Sequence, residues 1–209
     1  MTDTGEPRHE HRRSGIIWLD LTIALTALLI SMTSLVVAIV HSRTLERMAD
    51  ANSKLVEANS WPFIGYNTGR NTDGAIWMGL ANEGVGPAKI EAVELKWNGV
   101  ARRNAVDFLE ACCGYKRGEK GLSYEMVAGR VVRAGDLVPF VVLPNNSETE
   151  ETWNKLVAAR SSPALTLTVC YCSVFDECWQ QDVAKLSLKA ERIAACKLPP
   201  QPFSIPERP

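Results

Sequence analysis

Histidine is scarce in this chain. The 209 residues contain only three, at positions 9, 11 and 41, so none falls in the long region after residue 60. A histidine-free domain has no Ser–His or Cys–His catalysis and no zinc site that needs imidazole. The carboxylates Glu148, Glu150 and Glu151 lie at a predicted helix start, where they favour the helix dipole. We therefore predict that the chain is not an enzyme and that it has no cofactor and no metal site.

A strong excess of one charge is also absent. Lys and Arg number 23 and Asp and Glu number 24, so the net charge is −1. This balance gives no reason to expect a nucleic acid partner. The glycine-rich run Asn82-Glu83-Gly84-Val85-Gly86-Pro87-Ala88 lacks the Lys-Ser/Thr pair and the helix of a phosphate-binding loop. It predicts a turn between two strands, with positive φ at Gly84 and Gly86 and Pro87 starting the next strand.

One long apolar run is present, from Ile16 to Val40, with Asp20 as its single charge. About 20 apolar residues suffice to cross a bilayer as a helix, so residues 16–40 are predicted to be a transmembrane helix. The run is longer than the apolar part of a cleaved signal peptide, which favours a retained anchor. Residues 1–15 are polar and are predicted to form a disordered tail.

Small and polar residues recur along this run at alternating spacings of four and three. They are Asp20, Ala24, Ala27, Ser31, Ser34 and Ala38, and Leu45, Met48, Asn52 and Leu55 continue the spacing through residues 41–60. We call these ten residues the seam. Small residues allow close helix packing in lipid, and Leu and Met around an Asn are typical of a short coiled coil. The alternative is a plain anchor followed by an amphipathic linker helix.

The seam predicts one helix of about 44 residues, about 66 Å long at 1.5 Å per residue, and a parallel homodimer through the span and the stalk at residues 41–60. Trp61-Pro62 should end this helix, because proline disfavours the helical region for the residue before it.

Residues 61–198 show short alternating segments separated by turn residues. They predict an immunoglobulin-like antiparallel β-sandwich, a mainly-β fold with two short helical insertions. One helix is expected at residues 104–113 with Asn104 as its cap, and the other from a Ser147-x-x-Glu150 capping box to about residue 160. Strands are expected at 90–97, 122–132, 136–143, 164–173 and 178–189. Residues 199–209 are proline-rich and are predicted to be a disordered tail.

All six cysteines lie in this domain. Cys170 and Cys172 share the strand face opposite the apolar one, and Cys172 and Cys178 bracket a five-residue hairpin loop, which predicts a Cys172–Cys178 disulfide. A second expected pairing joins Cys170 to Cys112 or Cys113. Two alternatives stay open: reduced cysteines in a cytosolic domain, or a zinc or redox site of Cys170, Cys172 and Cys178 with Cys112 or Cys113. Their spacing is not a standard zinc pattern.

Two motifs carry a resemblance: the Asn-x-Gly-x-Gly-Pro-Ala run at residues 82–88, and Cys170-Tyr171-Cys172-Ser173 followed by Glu177-Cys178-Trp179. With Trp61-Pro62, the sequence from the span to about residue 188 resembles uncharacterised bacterial inner-membrane proteins. These have one N-terminal span and an immunoglobulin-like β-sandwich. The family has no assigned activity, so the resemblance implies a fold and a location but no functional residues.

Orientation depends on a small bias. Arg12 and Arg13 directly precede the span, whereas Arg43 is the one basic residue as close on the other side. The even number of cysteines also favours an oxidising compartment. We therefore expect a single-pass protein of the bacterial inner membrane, with its N-terminus cytoplasmic and its domain periplasmic.

The predicted function is a non-catalytic interaction or structural module at the cell envelope, with the lipid bilayer and an unknown envelope protein as partners. The alternative is a membrane-tethered redox or zinc sensor that uses the cysteines.

Overall fold

The structure is a computed structural model that describes residues 16–118, 120–185 and 189–204. The predicted disordered tail at residues 1–15 lies outside these ranges. The chain divides into two compact units, one ending at Lys54 and the other beginning at Leu55.

The first helix, α1, spans Ile16–Asn59 and has 44 residues. No glycine or proline interrupts it. It is long and apolar enough to cross a membrane, with a mean hydropathy of 2.5 over its most apolar stretch. All its side chains from residue 17 to residue 59 are exposed. The prediction of one continuous helix through span and stalk is therefore confirmed, and the helix ends just before Trp61-Pro62.

The second unit is mainly β, with antiparallel sheets and short helices, as predicted. One sheet has the strand order β1-β2-β6, and the other has the order β4-β3-β7-β8-β9, with β5 pairing to β3. The strands are β1 (Ile64–Arg70), β2 (Ile76–Asn82), β3 (Ala88–Trp97), β4 (Val100–Arg102), β5 (Val131–Val132), β6 (Leu137–Leu143), β7 (Leu165–Cys172), β8 (Cys178–Asp182) and β9 (Glu191–Ile193).

Both sheets contribute to one hydrophobic core. Met78 and Phe140 come from the first sheet, and Leu95 and Val169 from the second. The alternation in β7 was predicted correctly, since Leu165, Leu167, Val169 and Tyr171 are all buried in this core. Cys170 and Cys172 therefore point to the other face of the second sheet.

Two short helices pack beside the sheets. Helix α2 (Ala105–Cys113) begins as predicted, because the Asn104 side chain accepts a hydrogen bond from the Asp107 amide. Helix α3 spans Glu150–Ala159, and the predicted capping box is wrong. Asn146 rather than Ser147 accepts the nearby amides, from Glu148 and Thr149 at 2.9 and 3.0 Å. Asn146 thus forms a turn three residues before Thr149. The helix begins at Glu150, with Thr149 as its cap, whereas the predicted box has Ser147 as the cap.

Two predicted strands are shorter than expected. Residues 122–132 form only β5 and an isolated bridge from Ser123 to Val142, because a turn with positive φ at Gly129 interrupts the segment. The strand expected at 178–189 ends at Asp182, whose carboxylate accepts the amides of Leu167 and Ala184 and so forms a turn.

The predicted disordered tail is wrong for residues 199–204. Phe203 is buried in the core, with its ring centroid 5.7 Å from that of Phe140. Its amide donates to the Val93 carbonyl at 2.8 Å, and the Ser204 amide donates to Arg103 at 2.7 Å. The bond to Val93 lies on the β3 edge between the pairings of β3 with β5 and β4, and the bond to Arg103 lies just after β4. The folded domain therefore extends past residue 198 to Ser204, and residues 205–209 lie outside the described ranges.

Candidate functional site

The turn at residues 82–88 is a structural junction built on Asn82, whose side chain is fully buried. Its Oδ1 accepts the amides of Phe63 and Gly84 at 3.2 and 3.1 Å, and its Nδ2 donates to the carbonyls of Gly86 and Val132 at 2.8 and 3.0 Å. One amide thus satisfies four backbone groups from three segments. This use of the motif is structural, as the sequence analysis expected of a turn.

The two glycines of this turn are needed for space rather than for positive φ. Neither is among the described residues with positive φ, so that part of the prediction is wrong. A Cβ on Gly84 would lie 2.4 Å from the Phe63 amide, and one on Gly86 would lie 2.1 Å from the Ser60 carbonyl. The amides of Val85 and Gly86 both donate to Trp61. The turn therefore packs closely against the backbone of residues 60–63, between the end of α1 and the start of β1.

The cysteines of β7 and β8 lie together on the outer face of the second sheet. In the strand register Cys170 lies opposite Gln180 on β8 and Ala92 on β3, and Cys172 lies opposite Cys178. The structure pairs Cys172 with Cys178, with an Sγ–Sγ distance of 2.06 Å, as the hairpin predicts. Because they are opposite residues of adjacent strands, this pairing needs no distant segment.

The second expected pairing is wrong. Cys170 is bonded to Cys196 at 2.00 Å, whereas Cys112 and Cys113 are bonded to each other at 1.99 Å. Both of the latter belong to the end of α2, which places them on a different element from the sheet cysteines. The alternative zinc or redox set is wrong in the same respect. Its fourth cysteine is Cys196, and not Cys112 or Cys113.

The two sheet disulfides touch. The Sγ atoms of Cys172 and Cys196 are 3.8 Å apart. Those of Cys172, Cys178 and Cys196 all lie within 4.8 Å of one another. Cys170, Cys172 and Cys178 are buried and Cys196 is half-buried. We call these four residues the cysteine face. Thiolates at this spacing are a donor set for a soft metal, but the pairing in the structure leaves no thiolate free.

A segment that we call the strap, residues 194–204, crosses the cysteine face. It follows β9, which pairs with β8, is attached to β7 through Cys196, and ends with Phe203 beside β3. A cavity of about 190 Å³ lies beneath it. The strap supplies Lys197, Leu198 and Pro199 to the cavity, and the sheet supplies Ala92, Glu94, Thr168, Cys170 and Gln180. Cys170, one partner of the Cys170–Cys196 disulfide, is therefore part of the cavity wall.

Sequence reasoning missed Cys196 and Phe203. Cys196 lies 26 residues from its partner, beyond the β7–β8 hairpin and β9, so no single turn places the two cysteines opposite each other. The available signal for Phe203 is a lone aromatic residue within a proline-rich segment. Such a segment typically indicates an extended chain, but it does not predict which part of the domain the chain packs against.

Two buried phenols have raised pKa values. Burial raises the pKa of Tyr171 to about 12. Burial also raises the pKa of Tyr66, although contacts with Thr68 and Arg160 oppose the effect. Tyr171 points into the core and not toward the cysteine face, and the Tyr66 hydroxyl, on β1 of the first sheet, donates to the Arg160 carbonyl, so neither phenol is placed to deprotonate a thiol there.

The seam residues all lie on α1 and are all exposed in the single chain. On the other sides of the helix, Thr22, Thr26 and Thr33 donate to carbonyls of their own helix at 2.8–3.0 Å. These hydroxyls therefore have hydrogen-bond partners within their own helix.

The chain matches no protein-family model and no curated protein sequence. Its function must therefore be argued from its own residues.

Proposed function

We propose that the chain is a single-pass bacterial inner-membrane protein whose soluble domain is a non-catalytic interaction or structural module of the cell envelope, with an immunoglobulin-like sandwich fold. The carrying observation is α1, which presents an exposed apolar surface over the length of a bilayer and continues without a break into the stalk. The absence of histidine after residue 41 supports the non-catalytic role. A broad hydrolase and oxidoreductase screen of the purified chain should find no turnover, and robust turnover would refute this role.

The cysteine pairing supports a periplasmic domain. All six cysteines are at disulfide distance from a partner, with none left free. Disulfides persist in the periplasm and are rare in the bacterial cytosol. A C-terminal alkaline phosphatase fusion should therefore be active, and a C-terminal green fluorescent protein fusion dark. The reverse pattern would place the domain in the cytosol.

We also propose that the chain forms a parallel homodimer through the seam. Ser34 and Ala38 line a shallow depression on α1 together with Thr33, Val37 and His41. The small side chains of Ser34 and Ala38 would let a second helix approach closely there. Asp20 adds a polar group that favours contact with protein over contact with lipid.

Cross-linking tests the dimer. In a cysteine-free background, single cysteines at Ala27, Leu45 and Leu55 should cross-link between chains in the membrane. Matched positions off the seam, Leu29 and Glu46, should not. Equal cross-linking of both sets, or none in either, would mean that the seam is only an anchor and a linker.

A second candidate function is a membrane-tethered redox or zinc sensor. The specific observation that favours it is the meeting of four sulfurs on the cysteine face, with the 3.8 Å contact between two disulfides. After reduction, stoichiometric zinc on the purified chain would support this candidate. Zinc-free protein with disulfides that resist physiological dithiols would support the structural module instead.

A further inference from the structure

The contact between the two sheet disulfides brings two sulfurs close enough for thiol–disulfide exchange. Thiol–disulfide exchange occurs when a thiolate attacks a sulfur of a disulfide, so the attacking sulfur must reach its target closely. Cys172 Sγ already lies 3.8 Å from Cys196 Sγ, the sulfur that is bonded to Cys170. If Cys172 were a thiolate, it would face a disulfide that needs little motion to react.

We propose that Cys172 and Cys196 are a thiol–disulfide exchange pair, and that the cysteine face is a reaction site for dithiol reductants. This inference rests on the cysteine-based candidate of the preceding subsection and names its chemistry. Exchange begins with the reduction of the Cys172–Cys178 disulfide, whose two cysteines are each 5% exposed. This disulfide closes the hairpin loop whose tip residues Val174 and Phe175 are exposed, at 48% and 55%.

A dithiol is the only outside reactant that the exchange needs. A dithiol transfers two electrons and two protons to the Cys172–Cys178 disulfide and leaves as its own disulfide. The Cys172 thiolate then attacks Cys196 Sγ. A Cys172–Cys196 bond forms, the Cys170–Cys196 bond breaks, and Cys170 leaves as a thiolate that takes up the proton lost by Cys172. The products are one disulfide and the thiols of Cys170 and Cys178.

This step changes where the strap is attached. Cys170 and Cys172 are two residues apart on one strand face, so exchange moves the attachment point of Cys196 to a residue about 7 Å farther along β7. Cys196 Sγ itself has only to close its 3.8 Å separation from Cys172 Sγ, so the strap needs to move little. Phe203, seven residues farther on, stays held in the core and by Val93.

The exchange also changes what the cavity contains. The freed Cys170 thiol would line it together with Lys197 and Glu94, one cationic and one anionic side chain. The disulfide state of the hairpin is thus converted into a different attachment of the strap and a free thiol in the cavity wall.

The test uses the full chain in detergent, with Cys112→Ser and Cys113→Ser to remove the vicinal pair. Adding Cys178→Ser leaves Cys172 as a thiol beside the Cys170–Cys196 disulfide. After anaerobic incubation at pH 8, remaining thiols are blocked with N-ethylmaleimide. The protein is then digested with chymotrypsin, which cleaves after Tyr171 and so separates Cys170 from Cys172 before mass spectrometry.

We expect two disulfide peptides, Cys170–Cys196 and Cys172–Cys196, in amounts within about tenfold of each other, because each bond joins the half-buried Cys196 to a buried cysteine on the same face of β7. Cys170–Cys196 as the sole disulfide, with Cys172 fully blocked, would overturn the proposal. The matched control carries Cys113→Ser alone, so Cys112 is a free thiol on α2, and it should give no peptide joining Cys112 to Cys196.

A second measurement does not depend on the Cys178 variant folding. The wild-type chain is treated with limiting dithiothreitol, and samples are blocked over time. Cys172–Cys196 should appear before all disulfides are lost, and its absence at every time point would overturn the exchange. Zinc binding by the fully reduced chain is measured separately. Zinc binding without exchange would refute this inference and leave the sensor candidate standing.

Discussion

Replacement of Asn82 by alanine should be among the most destabilising single changes in the domain. The variant removes two acceptor contacts and two donor contacts, and leaves the amides of Phe63 and Gly84 and the carbonyls of Gly86 and Val132 without this partner. Each hydrogen bond of this kind contributes about 1 kcal/mol net, so the four together contribute about 4 kcal/mol.

This loss is large beside the total stability of a domain, which is typically about 5–15 kcal/mol. The assay is urea unfolding of the full chain in detergent, followed by the fluorescence of the buried Trp153 and Trp179. The control is Asn67→Ala, because Asn67 is another strand asparagine but makes an exposed bond to Glu83 at 3.0 Å. That change should cost less than about 0.5 kcal/mol.

Asn82→Leu separates hydrogen bonding from packing. Leucine has the same branched skeleton as asparagine with bulkier methyl ends, so it leaves no cavity but cannot bond to any of the four backbone groups. If the network matters, Asn82→Leu should be as unstable as Asn82→Ala. A leucine variant close to the wild type, or an alanine variant within about 1 kcal/mol of it, would refute the role assigned to the network.

Two further predictions concern the strap and the core. Phe203→Ala should lower the free energy of unfolding by about 3–5 kcal/mol, the usual cost of deleting a buried phenylalanine, whereas Leu198→Ala, at a residue 76% exposed on the same strap, should leave urea unfolding unchanged. Burial raises the pKa of Tyr171 to about 12, so the unfolded chain loses this proton first, near pH 10. Stability should therefore fall between about pH 10 and 12, and urea unfolding at pH 9 and 11 should show a smaller loss for Tyr171→Phe.

The features that were predicted correctly depend on residues that lie close together along the chain. The extent of α1 follows from an apolar run without glycine or proline, and helix α2 from the cap at Asn104. The register that brings Cys172 opposite Cys178 follows from a five-residue loop between two strands. In each case the determining contacts lie within a few residues along the chain.

What the sequence did not predict depends on distant segments. Cys196 finds Cys170 only because β9 adds to β8 and directs the chain back across the sheet. Phe203 enters the core only because β4 and β5 pair with the ends of β3 and leave the edge between them open to the strap. Neither path has a periodic pattern. The capping box at Ser147 failed for a related reason, since Asn146 competes for the same local amides.

The strap also imposes an order on the biosynthesis of this protein. The first core strand begins at Ile64, yet the core lacks one aromatic ring until Phe203 has been made. Until the strap arrives, the domain is only partly assembled, with the β3 edge open beside Val93. Unpaired strand edges bind other chains readily, so this interval is when a nascent domain most needs a chaperone.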